Sequence, residues 1–328
     1  MESKVHSELC FPQLANLSCR KSMSESSGDV LLNVLLSLAC VLTVLLNLLV
    51  IVAISHFRQL HTPTNLLLLS LAISDFLVGL LVWPGEIYVN TACWAFGDIA
   101  CFCYQFASFI ITSASVGNMV LISADRYIAI CDPLHYNIKV TVKRIQLCVC
   151  LCWFLSLLYC CILLRDQLAH PEKCSSCYGE CVINVDTDGG ILDLVVIFIL
   201  PLSIIITLYT RVFMVAMSQA RAMRSHVTCG KVQNSVPLGA KKSELKAART
   251  LGVLVLVFLV CFCPFYISSL VGDISFSSSA HYVVYLFDFN SCVNPLIYAL
   301  FYPWFRKAVK HIVTLRILQP GSCGAKLV

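Results

Sequence analysis

The sequence predicts an all-α membrane protein, a seven-transmembrane-helix bundle with a short amphipathic eighth helix. Three observations predict it. Of 328 residues, 59% are hydrophobic and only 12% charged, where a soluble domain carries about 25% charged residues. Seven apolar segments lie in series at 31–55, 65–88, 99–124, 145–164, 190–214, 250–271 and 281–302, each near the roughly 20 residues that cross a bilayer as a helix. Periodicity alone does not separate a buried helix from a spanning one, but seven such lengths in series do. Basic residues gather between alternate segments, as they do on one side of a membrane.

The charge pattern sets the orientation. Lys139, Lys143 and Arg144 follow the third segment; Arg211, Arg221, Arg224, Lys231, Lys241, Lys242, Lys246 and Arg249 lie between the fifth and sixth; Arg306, Lys307, Lys310 and Arg316 follow the seventh. The other side is acidic, with Asp166, Glu172, Glu180, Asp186 and Asp188. The positive-inside rule places the N-terminus outside and the C-terminus in the cytoplasm. This asymmetry makes up most of the net charge of +5 and does not suggest a nucleic-acid partner. No cleavable signal peptide is read before the first segment. Three regions follow: an outer tail at 1–30, the helical domain at 31–302, and an amphipathic helix with a cytoplasmic tail at 303–328.

Within the segments, polar residues stand out because hydrocarbon penalises them, and an ionisable one is a functional hypothesis by default. Segment one carries Asn47. Segment two carries Asp75 and, near its outer end, Glu86, a further candidate site carboxylate read first as a rim residue. Segment three carries Ser108, Thr112 and Ser115 and closes on Asp125-Arg126-Tyr127. Segment five carries Asp193 in the apolar run from Ile191 to Ile197. Asp193 lies eight residues before Pro201, roughly 12 Å further out at about 1.5 Å per residue. Segment six contains Phe262 and Pro264, and the proline removes a helix hydrogen bond and marks a hinge. Segment seven carries Tyr285, Asp288, Asn290, Ser291 and Asn294. The basic loop at 216–243, with Gly230, Pro237 and Gly239, reads as mobile. Beyond Pro303, residues 304–312 alternate apolar and basic faces, as a helix on the inner leaflet does.

Of twenty cysteines, most sit inside segments as small apolar packing. Cys10, Cys19, Cys93, Cys101, Cys174, Cys177 and Cys181 face the outside, where disulfides form. Asn16-Leu17-Ser18 is a glycosylation sequon on that side. Cys323 is a weak palmitoylation candidate. There is no nucleophile elbow, phosphate loop or catalytic metal motif, so the chain does not read as an enzyme.

Asn294-Pro295-Leu296-Ile297-Tyr298 resembles the seventh-helix motif of rhodopsin-like G-protein-coupled receptors, and the longer run from Asn290 to Phe305 resembles that of the trace amine-associated receptors. Asp125-Arg126-Tyr127 is similar to the family's third-helix motif. The resemblance implies a plasma-membrane receptor, of the kind found in olfactory sensory cilia. It implies a small amine ligand and a stimulatory heterotrimeric G protein that raises cyclic AMP. It implies an activation switch of Asp125, Arg126, Tyr127, Tyr209, Phe262, Pro264 and Tyr298, with Glu244 as the partner that locks Arg126. It also implies a polar pocket of Asn47, Asp75, Ser115, Asn290, Ser291 and Asn294, with Asp75 holding an allosteric sodium ion. No obligatory cofactor is expected. Cys101 with Cys181 fits the family's disulfide, and either Cys10 or Cys19 with Cys177 fits a second.

Three positions depart from the family. Phe262 stands where Trp is usual. Ser108 stands where amine receptors carry an Asp, and a hydroxyl cannot balance an ammonium in a dry pocket. Asp193 matches a helix-five Asp that a fish-expanded branch uses instead. Asp288, where the family more often has Tyr, is a second candidate, and two carboxylates would suit a di- or polyamine. Ser108 and Thr112 would line the wall, with Phe265, Tyr266 and Tyr285 flanking the ammonium. A neurotransmitter-type amine receptor is the alternative, disfavoured by Ser108. A seven-helix transporter is a further one, and no repeat symmetry supports it.

Overall fold

The computed structural model describes residues 7–14, 16–22, 27–170, 177–183, 185–228, 238–271 and 280–327. An outer hairpin, β1 (Ser7–Leu9) and β2 (Arg20–Ser22), precedes α1 (Ser27–His56), α2 (Pro63–Thr91), α3 (Gly97–Cys131) and α4 (Val142–Leu163). Then come α5 in three continuous pieces (Thr187–Asp193, Leu194–Ile199, Leu200–Thr228), α6 (Leu238–Val271), α7 (Ala280–Phe301) and α8 (Pro303–Val313). The side chains at 7, 22, 216, 219–228, 238–251, 254, 271, 280, 281 and 300 lie outside the described set.

Each predicted segment is found as a helix, and several overrun their apolar stretch, because a helix continues into water once its own hydrogen bonds are made. α3 carries Asp125 and Arg126 inside its last turns before ending at Cys131. Thr62 accepts from Asn65 N ahead of Pro63, and Thr141 accepts from Arg144 N, each capping the start of a helix. Two helices contain a π turn ahead of a proline: Val78–Val82 before Pro84 in α2, and Leu194–Ile199 before Pro201 in α5. Proline has no amide hydrogen to donate, and a widened turn absorbs the missing bond.

The packing suits lipid. α1 exposes Leu31, Val34, Leu35, Leu38 and Leu45, and α4 exposes Leu147, Leu151, Phe154, Leu155 and Ile162. Contiguous apolar surface of this kind is unstable in water and matched in a bilayer. The interior instead buries Asn47, Asp75, Ser115, Asn118, Asn290, Ser291 and Asn294.

Among the described residues, three disulfides tie the outer face: Cys101–Cys181, Cys19–Cys177 and Cys10–Cys93. Of the two tail cysteines open to Cys177, Cys19 takes it, and Cys10 turns to Cys93. The hairpin explains the division. Cys10 N donates to Cys19 O at 2.9 Å, so the two cysteines sit side by side. Cys19 N donates to Tyr178 O and Tyr178 N donates to Leu17 O, which lays the Cys19 strand along the second outer loop. Gly179, at φ +107°, passes Cys10 so closely that a Cβ would stand 2.6 Å from the Cys10 Cβ. Lys21 Nζ donates to Val89 O and Ala92 O at the outer end of α2. Burial lowers the Lys21 ammonium pKa, partly offset by Glu180. Asn16 is exposed on this surface.

The inner end holds a contact that the sequence did not suggest. After α8 the chain reverses at Leu315, in the left-handed region at φ 56°, and runs back onto the first inner loop. Gln59 Nε2 donates to Ala325 O at 2.8 Å, Leu327 N donates to Gln59 Oε1 at 3.2 Å, and His56 Nε2 lies 2.9 Å from Ser322 Oγ. Leu327 is fully buried in one core with Phe57 and Leu60. Cys323 lies half-buried in a short helical turn of this returning segment.

Candidate ligand cavity and its connection to the inner face

A cavity of about 220 Å³ lies among α2, α3, α4, α5, α6 and α7. It brings together Ser108, Thr112, Asp193, Phe265, Tyr266 and Asp288. Asp193 accepts a hydrogen bond on each carboxylate oxygen, from Tyr159 OH at 2.6 Å and Tyr266 OH at 3.1 Å. A carboxylate has room for about four acceptor contacts, so both oxygens can still receive a ligand donor. The Ser108 hydroxyl donates to Tyr104 O, one turn back on α3. Tyr266 stacks on Phe198 at 4.6 Å and meets Phe265 edge-on at 5.1 Å.

Asp288 is 5% exposed, and its Oδ2 is buried with no hydrogen-bond partner among the described residues. Tyr285 is not part of the lining. Its hydroxyl accepts from Asn90 Nδ2 at 2.9 Å near the outer end of α2. Glu86 is not a rim residue; it lines the cavity and accepts from Tyr104 OH at 3.0 Å. Gln105, Tyr159 and Phe287 also line it and carried no signal in the sequence. A Tyr in an apolar helix shows its role only when the register against α5 is known.

Below the cavity, Phe287 lies 4.2 Å from Phe262, which stacks on Phe258 at 4.2 Å. Pro264 lies between this ring stack and Tyr266 on α6. At mid-membrane, fully buried Asp75 accepts from Ser115 Oγ (3.1 Å), Ser291 Oγ (2.9 Å) and Asn294 Nδ2 (2.7 Å). Asn47 Nδ2 donates to Thr43 O and Ser291 O. The side-chain oxygens of Asn47, Asn290 and Asn294 are buried with no hydrogen-bond partner among the described residues, as is the Tyr298 hydroxyl.

At the inner face, Asp125 is 3% exposed and collects its neighbours' donors. Arg126 Nε, Thr64 Oγ1 and Tyr136 OH each donate to it at 2.9 Å. Arg126 Nη2 reaches both Asp125 and Thr64. The Glu244 side chain lies outside the described residues. Tyr127 packs with Ile130 and Val212, and Tyr209 on α5 sits against Gly252 on α6.

This arrangement has relatives. The description 7 transmembrane receptor (rhodopsin family) matches residues 46–298. Trace amine-associated receptor 13c of Danio rerio is 35% identical, over 98% of this chain and 96% of its own length. Trace amine-associated receptor 1 of Mus musculus is 38% identical over 96% and 98%, and trace amine-associated receptor 7e of Rattus norvegicus 36% over 99% and 93%. The chain belongs to the trace amine-associated receptors.

As a member of this rhodopsin-like family it is a multi-pass membrane receptor and not an enzyme. Around the Asp75 carboxylate of this trace amine-associated receptor stand the Ser115 and Ser291 hydroxyls and the Asn294 amide, an oxygen-rich group. Such a set fits a hard cation.

Proposed function

We propose that this receptor detects a small amine from outside the cell, anchors the ammonium on Asp193, and signals through a stimulatory heterotrimeric G protein to raise cyclic AMP. The observation that carries the reading is the Asp193 carboxylate, held by two phenols inside the cavity. Ser108 faces the same cavity with its proton engaged by its own helix. This is the pattern of the helix-five branch that the sequence resembles. A di- or polyamine would take its second ammonium to Asp288.

The same carboxylate reaches the switch. Tyr266 lies two residues after Pro264, so an ammonium that competes for Asp193 Oδ2 loosens a bond between α5 and α6. A ligand shifts a two-state element only by its differential contacts, and this bond supplies one. Further in, release of Arg126 from Asp125 and Thr64 frees it for the G protein. Sodium beside Asp75 favours the resting arrangement. The receptor acts at the plasma membrane with its N-terminal tail outside, glycosylated at Asn16, and olfactory cilia suit its role.

The test is cyclic AMP output in cells expressing the chain, against a panel of mono-, di- and polyamines beside matched alcohols and carboxylic acids. Response to amines alone supports the reading. Response to the neutral or acidic compounds, or to none, ends it.

A further inference from the structure

We infer that Glu86 and Asp288 together form a second cation subsite, so that the cavity selects amines carrying two or more ammonium groups over monoamines. The inference rests on Asp193 as the first ammonium anchor.

Three carboxylates line one cavity, and none of its described lining residues is basic. Asp193 has two phenolic donors. Asp288 has none on Oδ2, although it is 95% buried by its 5% exposure. A buried charge without a partner is costly, and Asp288 is one of the residues that line the cavity. Glu86, from α2, lines the same cavity as Asp288 from α7. Its position is fixed by packing. Tyr104 donates to it at 3.0 Å, and the Tyr104 ring lies so close to Gly85 that a Cβ there would fall 2.1 Å from it.

An ammonium has three donors, enough to meet both carboxylates at once. The same cavity wall carries Phe265 and Phe287, apolar surface that suits a methylene chain. A cation at each end with hydrocarbon between describes an α,ω-diamine or a longer polyamine. A monoamine bound at Asp193 leaves the Glu86–Asp288 end without a counter-charge. In the competing arrangement Glu86 and Asp288 share a proton and bind no ligand group.

The experiment compares linear α,ω-diamines of about three to eight carbons with monoamines of the same lengths. It reads cyclic AMP potency at matched surface expression, and the shift in melting temperature of the purified receptor. Wild type is expected to prefer a diamine. Glu86→Gln and Asp288→Asn are each expected to weaken the best diamine at least about tenfold, the loss of one charge-assisted contact, and to change the matching monoamine by less than about threefold. Tyr104→Phe, a positioning change, is expected to give a smaller loss with the same selectivity. Equal losses for both amine classes, no loss for either, or no wild-type preference for diamines would overturn the subsite. Asp193→Asn separates the two readings. If it spares every amine while Glu86→Gln stays selective, the anchor fails and the subsite stands. If it weakens every amine while Glu86→Gln is unselective, the subsite fails alone. If no amine gives a response or a thermal shift in wild type, both fail.

Discussion

Asp193→Asn tests the anchor with little change of shape. The amide oxygen still accepts from one tyrosine, at the site where Tyr159 and Tyr266 now donate at 2.6 and 3.1 Å. What disappears is the charge. At about 4 Å and an effective dielectric near 20, an ammonium–carboxylate pair is worth about 4 kcal/mol. A neutral hydrogen bond to the amide oxygen restores about 1 kcal/mol. The net loss of about 3 kcal/mol corresponds to roughly a hundredfold. Asp193→Ala would be a harsher test, because it strands two phenols in a dry cavity and threatens folding as well as binding. The assay is the concentration–response of cyclic AMP with the most potent amine, at surface expression matched by antibody. Tyr159→Phe is the companion, removing one donor while leaving the charge, and its loss should stay below about tenfold. An Asp193→Asn receptor whose amine potency lies within threefold of wild type refutes the anchor. So does a Tyr159→Phe loss larger than that of Asp193→Asn, which would mean that the phenol and not the carboxylate holds the ligand.

Other regions make independent predictions. If Asp75 holds sodium, agonist affinity falls when choline is replaced by sodium in wild type, and Asp75→Asn abolishes that difference; a persisting sodium effect in the variant locates the ion elsewhere. Leu327→Ala should lower apparent stability by about 2 kcal/mol, the low end for a buried leucine, seen as a fall of a few degrees in melting temperature; an unchanged transition would mean the returning tail contributes nothing. At the inner end of α3, hydrogen bonds from Lys139 and then His135 hold the Asp132 carboxyl down at about 2. Its folded pKa lies below the ordinary value near 3.9, so the stabilisation from these bonds is complete above about pH 4 and disappears as pH falls toward 2. Hydrogen exchange of Tyr136–Lys139 should therefore be insensitive to Asp132 protonation between pH 5 and 8; an Asp132-dependent rise in exchange near pH 6 would contradict the assignment.

Polar residues were legible where the surroundings were uniformly apolar. Asp75, Ser115, Ser291 and Asn294 converge on one carboxylate because hydrocarbon leaves buried polar groups no partner except one another. Asp193, Asp288, Thr112 and Phe265 reached the cavity for a related reason, since positions on different helices at one depth share the bundle interior. Tyr285 failed that logic although it lies three residues from Asp288. Its long side chain leads the hydroxyl a turn outward to Asn90, and depth along the axis, not face alone, decided the outcome. The returning tail was hidden for a different reason, because its anchors are backbone groups of Ala325 and Leu327, one serine hydroxyl and one leucine side chain, none with a composition signal.

Glu86 shows most sharply where counting along a helix stops being safe. An ordinary α-helix turns about 100° per residue, so register past Asp75 can be carried outward by arithmetic. The π turn at Val78–Val82 holds one extra residue, which rotates everything beyond it by about one position. Pro84 makes that turn intelligible, but a proline is equally compatible with a plain kink, so residue types alone did not decide which form would appear. With the turn in place, Glu86 lies on the cavity wall and Tyr104 can reach it. The second π turn, Leu194–Ile199, follows Asp193 directly and has the same effect on α5. The distance counted back from Pro201 gives the depth of Asp193, and the widened turn gives its direction. The cavity carboxylates on α2 and α5 thus each lie within a few residues of a widened turn, and the aim of each depends on its neighbouring proline as much as on its own position.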